Sequence, residues 1–145
     1  MDWLTYHTLS IFVTALVLGG MVFFGFFMTP LVFAKLERPV AAGFLRTVFP
    51  IYYQVMAVLS VLAALPIWYR SEAVGMAGVA AIFVFVKVFL LPPINRARDA
   101  RDQYADGTGG DAQGEARFKR LHRLSVLINL AQMIGVGVVF FRLVA

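Results

Sequence analysis

Four stretches of the chain run on almost without charge: Thr8 to Ala34, Thr47 to Tyr69, Ala73 to Pro93 broken only by Lys87, and Leu124 to Phe141. Each is close to the ~17–25 residues that a helix needs to cross the hydrocarbon of a bilayer. The pattern predicts an all-α fold: a four-transmembrane-helix bundle forming a single integral membrane domain over residues 1–145. The opening "MDWLTYHTLSIFVTALVLGG" lacks the basic start of a signal peptide, carrying Asp2 instead, and its apolar run continues past the usual length. It is expected to remain as the first span.

The segments between the runs have their own signals. "RPVAAGFLRTVFP" reads as a short interfacial amphipathic element, with Phe44, Leu45, Val48 and Phe49 at the lipid boundary. Pro50 then suits the first turn of the second span. After the third run, "NRARDARDQYADGTGGDAQGEARFKRLHR" favours helix on both sides of a Gly- and Asp-rich centre, with Arg98 and Asp102 at i,i+4 and Asp111 as an N-cap. Spans 3 and 4 are therefore expected to continue outward as a long helical hairpin, kinked at Pro92-Pro93. Ala73, Ala77 and Ala81 at four-residue spacing, and Ala131 with Gly135, are expected to let helices approach closely.

One run departs from uniform greasiness. In "FKRLHRLSVLINLAQMIG" the residues His122, Ser125, Asn129 and Gln132 recur at spacings of three, four and three. At about 100° per residue they fall within an arc of roughly 80° on one face of the helix. Tyr52, Tyr53 and Gln54 open the second span and Asn95 closes the third, so these groups share one level of the bundle. Polar side chains facing lipid unpaired cost several kcal/mol, so the seam is expected to point inward. Two readings stay open. The seam hydrogen-bonds helix to helix and holds the bundle together, or it lines a ligand pocket.

Charge then orients the chain. Ten of the 13 Lys and Arg lie in the loops after spans 1 and 3, two lie on the other side (Arg70 and Arg142), and Lys87 sits inside span 3. The positive-inside rule places both termini outside and both long loops in the cytoplasm. Lys87 lies one turn from that boundary, near enough for its four-carbon stem to snorkel. The cluster Arg117, Lys119, Arg120 and Arg123 is a candidate site for anionic lipid headgroups, although topology alone accounts for it equally well. Nucleic acid is not an expected partner, because these charges sit at a membrane surface.

Overall composition fits: 61% of the 145 residues are hydrophobic and only 14% charged, with mean hydropathy +0.80. There is no cysteine, hence no disulfide, thiolate site or redox motif. His7 and His122 fall on opposite sides of a bilayer about 30 Å thick and cannot share an ion within one chain. Met21, Met28, Met56 and Met133 offer thioethers that suit Cu(I), but such residues also serve as packing. No Asp or Glu lies within a span, which removes a carboxylate proton relay. "GTGG" lacks the Lys-Ser/Thr of a phosphate loop, and no nucleophile arrangement is recognisable. No metal, cofactor or catalytic residue is expected.

"GMVFFGFFMTPLVFAKL", "FPIYY", "PPINRARD" and above all "RFKRLHRLSVLINLAQ" resemble the transmembrane protein 205-like family, also catalogued as domain of unknown function 4149. The resemblance runs over nearly the whole chain. It implies a small bacterial multi-pass protein of the inner membrane, with no settled reaction, and its recurring polar residues would be Tyr53, Asn95, His122, Ser125 and Asn129. A second likeness, in size and span number, is to four-span haem-linked oxidoreductases and copper-resistance proteins. The expected function is that of a non-enzymatic membrane protein whose polar seam packs the bundle and binds a lipid headgroup or small ligand. A homo-oligomeric transporter or channel is the alternative, and a haem- or copper-linked oxidoreductase the third.

Overall fold

The computed structural model describes residues 2–104 and 112–145, all of the defined elements being helical. The Gly-rich loop centre and the expected N-cap Asp111 fall outside the described residues. The order is α1 (Asp2–Val22), a π-turn (Phe23–Met28), α2 (Thr29–Lys35), α3 (Arg38–Ala64), a 3₁₀ turn (Leu65–Ile67), α4 (Ser71–Phe85), a second π-turn (Val86–Leu90), α5 (Leu91–Tyr104) and α6 (Ala112–Val144). Joined end to end they make four helices long and apolar enough to cross a membrane: Thr5–Lys35, Arg38–Ile67, Ser71–Ala100 and Gly114–Val144. The protein is a multi-pass membrane protein.

Prolines decide where the helices change character. Proline has no N–H and crowds the carbonyl four residues back, so a helix approaching one must reroute a hydrogen bond. Before Pro30 the chain widens into the Phe23–Met28 π-turn, and Thr29 closes it with both its N–H and its hydroxyl on the Phe24 carbonyl, the hydroxyl at 2.9 Å. Before Pro92-Pro93 the same solution recurs, with the Leu91 N–H reaching back to the Val86 carbonyl. The expected kink is thus absorbed by a π-bulge on the N-terminal side of the proline pair.

The expected interfacial element is not separate. Pro39, in the first turn, starts α3, which runs unbroken through Pro50. Leu45, expected at the lipid boundary, is buried beneath α2 with Val32 and Ala41. A proline at the first turn presets the helical φ and needs no N–H there, so Pro39 rather than Pro50 marks the start.

The four spans close a square. α1 packs on α3, α3 on α4, α4 on α6 and α6 on α1, so successive spans run antiparallel. His7 donates from Nε2 to the Leu143 carbonyl at 2.8 Å, which puts both termini at one end of the bundle. Exposed Tyr6, Trp68 and Tyr69 ring that end as an aromatic girdle does at a membrane interface. The opposite end holds most of the cations and is called here the basic end.

The core is filled by Val17, Met21, Ile67, Met76, Phe83, Val86 and Val136, all nearly or fully inaccessible. Met21 and Met56 serve as packing in this core, whereas Met28 packs against the smaller cluster under α2. Ser10 donates to the Ala63 carbonyl at 2.6 Å, tying α1 to α3, and Ser60 bonds back to the Met56 carbonyl at 2.8 Å. Of the small residues expected to pack, Ala73 is buried in the core. Ala77 and Ala81 face outward, as does Ala131. Close approaches occur at Gly20, where a Cβ would fall 2.7 Å from the Met56 terminal methyl, and at Gly75, where it would fall 3.0 Å from a Val139 methyl.

Candidate ligand-binding cleft

The square does not stay closed. Past the π-turn α2 packs on α3, while α6 follows α5, and a cleft of about 1210 Å³ opens between them. Its walls are apolar, with Phe24, Phe26 and Phe33 on one side and Val126, Leu130 and Met133 on the other. Phe26, Phe33, Val126 and Leu130 of these walls are exposed, and all four belong to the apolar spans. Toward the basic end it is bounded by Arg38, Arg98 and Glu115.

Six of the eight polar residues named for this level line the cleft: Tyr52, Tyr53, Asn95, His122, Ser125 and Asn129. The face that the spacing of three, four and three defines on α6 is the face turned toward α3. Asn129 hydrogen-bonds the Tyr52 hydroxyl across the cleft floor. Ser125 instead donates to the His122 carbonyl of its own helix at 2.8 Å. The His122 ring lies flat on Phe118, with ring centres 5.7 Å apart and planes at 7°. The opposite arc of α6, at Leu127, Ala131, Ile134 and Val138, is exposed.

Gln132 stands apart. It is buried above the cleft, donates from Nε2 to the Val79 carbonyl at 3.1 Å, and leaves Oε1 without a partner among the described residues. It acts as glue between α6 and α4. Thr14 is likewise fully buried with its hydroxyl unpartnered among the described residues. Gln54 also leaves the set, facing outward from α3, where its Oε1 accepts from the Lys87 ammonium at 2.7 Å. Lys87 therefore pairs with a neighbouring helix instead of reaching only for water.

The cleft floor is an aromatic box that polarity could not reveal. Phe24 stacks on Tyr52 with centres 4.3 Å apart and planes at 13°, and meets Phe49 edge-on at 5.3 Å. Phe49 stacks on Tyr53 at 5.9 Å, and Phe83 of α4 touches both tyrosines at 6.2 Å, edge-on to Tyr52. These rings hold the two hydroxyl-bearing side chains rigidly. The only hint in the sequence is the density of aromatics in "FFGFF" and "FPIYY".

Near the basic end, Arg98 reaches across the helices to the Ala42 carbonyl at 3.4 Å and lies over the Phe118 ring, 5.5 Å from its centre. The cluster Arg117, Lys119, Arg120 and Arg123 is exposed and does not line the cleft, with Lys119 paired to Glu115 at 2.8 Å. It forms a solvated face of α6. Among the described residues no group of three or more His, Asp or Glu gathers as a metal site would require.

Residues 12–103 match the family described as "Domain of unknown function (DUF4149)", and the chain belongs to it. The match ends within α5, so the His122, Ser125 and Asn129 string of α6 lies beyond the matched residues. No curated protein and no solved structure matches the chain.

Proposed function

We propose that this member of the DUF4149 family is a non-enzymatic membrane protein that holds an amphipathic, lipid-like molecule in the cleft between α2 and α6. The observation that carries the proposal is the layering of one 1210 Å³ space: phenylalanine, leucine and methionine walls, a polar ring above Tyr52 and Asn129, and Arg38 at the mouth. Binding sites for small amphiphiles are largely apolar with a few placed polar groups, and this cleft has that composition. The apolar walls suit an acyl chain entering sideways from the bilayer, and the polar ring suits a headgroup or carboxyl. On this reading the membrane is the bacterial inner membrane, and the charge bias supports a cleft at its cytoplasmic face with both termini outside.

The same geometry weighs against the alternatives. A solute path through one chain would have to continue past the cleft floor, where Val17, Met21, Met76, Phe83 and Val136 fill the bundle. Catalysis would need an activated nucleophile, and the Ser125 hydroxyl is already committed to the His122 carbonyl. Packing and binding coexist in the seam, with Gln132 serving the first and Asn129 with Tyr52 serving both.

Because the chain has no cysteine, one fluorophore can be attached at Ser125→Cys and, in a second protein, at Leu127→Cys on the outer face. Delipidated protein in detergent is titrated with a phospholipid brominated on its acyl chains. Quenching at 125 that saturates near one lipid per chain, while 127 shows only a gradual linear rise, is the expected outcome. Parallel linear curves at both positions would refute the proposal.

A further inference from the structure

A second concavity adjoins the cleft at Leu91 and Asn95, which line both, and it raises a different question. Gln54 and Lys87 hydrogen-bond each other at 2.7 Å on the outer surface, between α3 and the π-turn, although both belong to membrane-spanning segments. A polar pair turned toward lipid is costly unless something polar covers it. Directly toward the basic end lies a groove of about 390 Å³ lined by Lys87, Arg46, Arg96 and Asn95, floored by Pro50 and Leu91. Arg46 is held in place by a two-pronged bond to Asp99, at 2.7 and 3.1 Å. With Asp99 offsetting Arg46, the groove keeps the charges of Lys87 and Arg96 and has no carboxylate among its lining residues.

We infer that this α3–α5 groove is a site for the phosphate of an anionic membrane lipid, distinct from the α2–α6 cleft. Ammonium, guanidinium and amide donors match phosphate oxygens, and the third span, with Lys87, Asn95 and Arg96, and α3, with Arg46, bring them to the lining of one groove. Below the groove the surface turns apolar along the same line. Ile51 and Val58 flank Gln54 at i−3 and i+4, and Val84 lies three residues before Lys87; all three aliphatics on α3 and α4 are exposed. A headgroup in the groove would thus lay its acyl chains down this strip. The exposed cluster on α6 offers charge without concavity, so it attracts anionic surfaces without selecting one lipid.

The test is native mass spectrometry of the full chain released from detergent with phosphatidylglycerol or phosphatidylcholine of the same acyl composition. The wild type is expected to retain phosphatidylglycerol in preference, and Lys87→Gln and Arg96→Gln each to cut that preference about fivefold. Arg120→Gln, which removes the same single charge elsewhere, should leave it nearly unchanged. Both groove positions are at the surface, so the variants are expected to fold, which a thermal melt verifies. Equal losses from the α6 variant would overturn the site in favour of general surface charge, as would unchanged retention in the groove variants. Inorganic phosphate at millimolar concentration should fail to displace the lipid; displacement would overturn the lipid as occupant.

Discussion

Phe83→Ala should lower the thermal stability of the detergent-solubilised protein by about 2–3 kcal/mol, more than any other single aromatic truncation on α4. Its ring is fully inaccessible and is the one contact that α4 makes to both Tyr52 and Tyr53 within the aromatic box. In a soluble core, Phe→Ala costs ~3–5 kcal/mol through lost transfer energy and the cavity left behind. In lipid the transfer part shrinks, because a separated helix keeps its side chain in hydrocarbon, and the packing part remains. Phe85→Ala, two residues on and half exposed, is the control and should shift the melt little. Thermal unfolding followed by circular dichroism checks both. Equal shifts would mean that the box is not a rigid support.

Asn129→Leu should weaken binding of an acyl-chain amphiphile about tenfold, the worth of one polar contact near the upper end of its usual range. The same change should cost the bundle its bond to Tyr52, about 0.6 kcal/mol and at most roughly 1.7 by precedent in membrane bundles. Tyr52→Phe separates the two contributions. In a double-mutant cycle on stability, Asn129→Leu and Tyr52→Phe should be coupled, because each removes one end of the same bond. In binding, Asn129→Leu should remain harmful even in the Tyr52→Phe background, since its amide faces the cleft as well as the tyrosine. Ile134→Leu, on the exposed arc, should alter neither quantity. A stability loss with untouched affinity would reduce Asn129 to packing alone.

What the sequence made legible follows from periodicity. Four polar residues at helical spacing on an otherwise apolar helix can face only one way without penalty, so the inward face of α6 could be read directly, whereas the choice between Tyr52 and Tyr53 as its partner stayed open. Long uncharged runs gave the spans on the same grounds. What stayed hidden had no periodic signature. Phe24 and Phe83 look like membrane filler until the fold brings them against the tyrosines. Tyr53 and Gln54 are neighbours in sequence, yet a step of about 100° turns one into the cleft and the other toward lipid. The row Ala73, Ala77, Ala81 has the spacing of a packing face, but only Ala73 lies on the inward side of α4, which Met76, Val79, Ala80 and Phe83 continue. Pro50 had a partner signal in Pro39, and only the earlier proline sits where a helix can begin at no cost.

The lateral opening was the least readable feature of all, because it depends on where α2 goes after its π-turn. Its rerouted hydrogen bonds free α2 to lie on α3 and leave α6 unpaired along the cleft. An experimental structure of the protein in lipid nanodiscs, at a resolution that shows acyl chains, tests this most directly. The account predicts elongated density between α2 and α6, running from Phe33 and Leu130 to a headgroup beside Tyr52, Ser125 and Asn129. A closed bundle with α2 packed onto α6 and no space between them would contradict it.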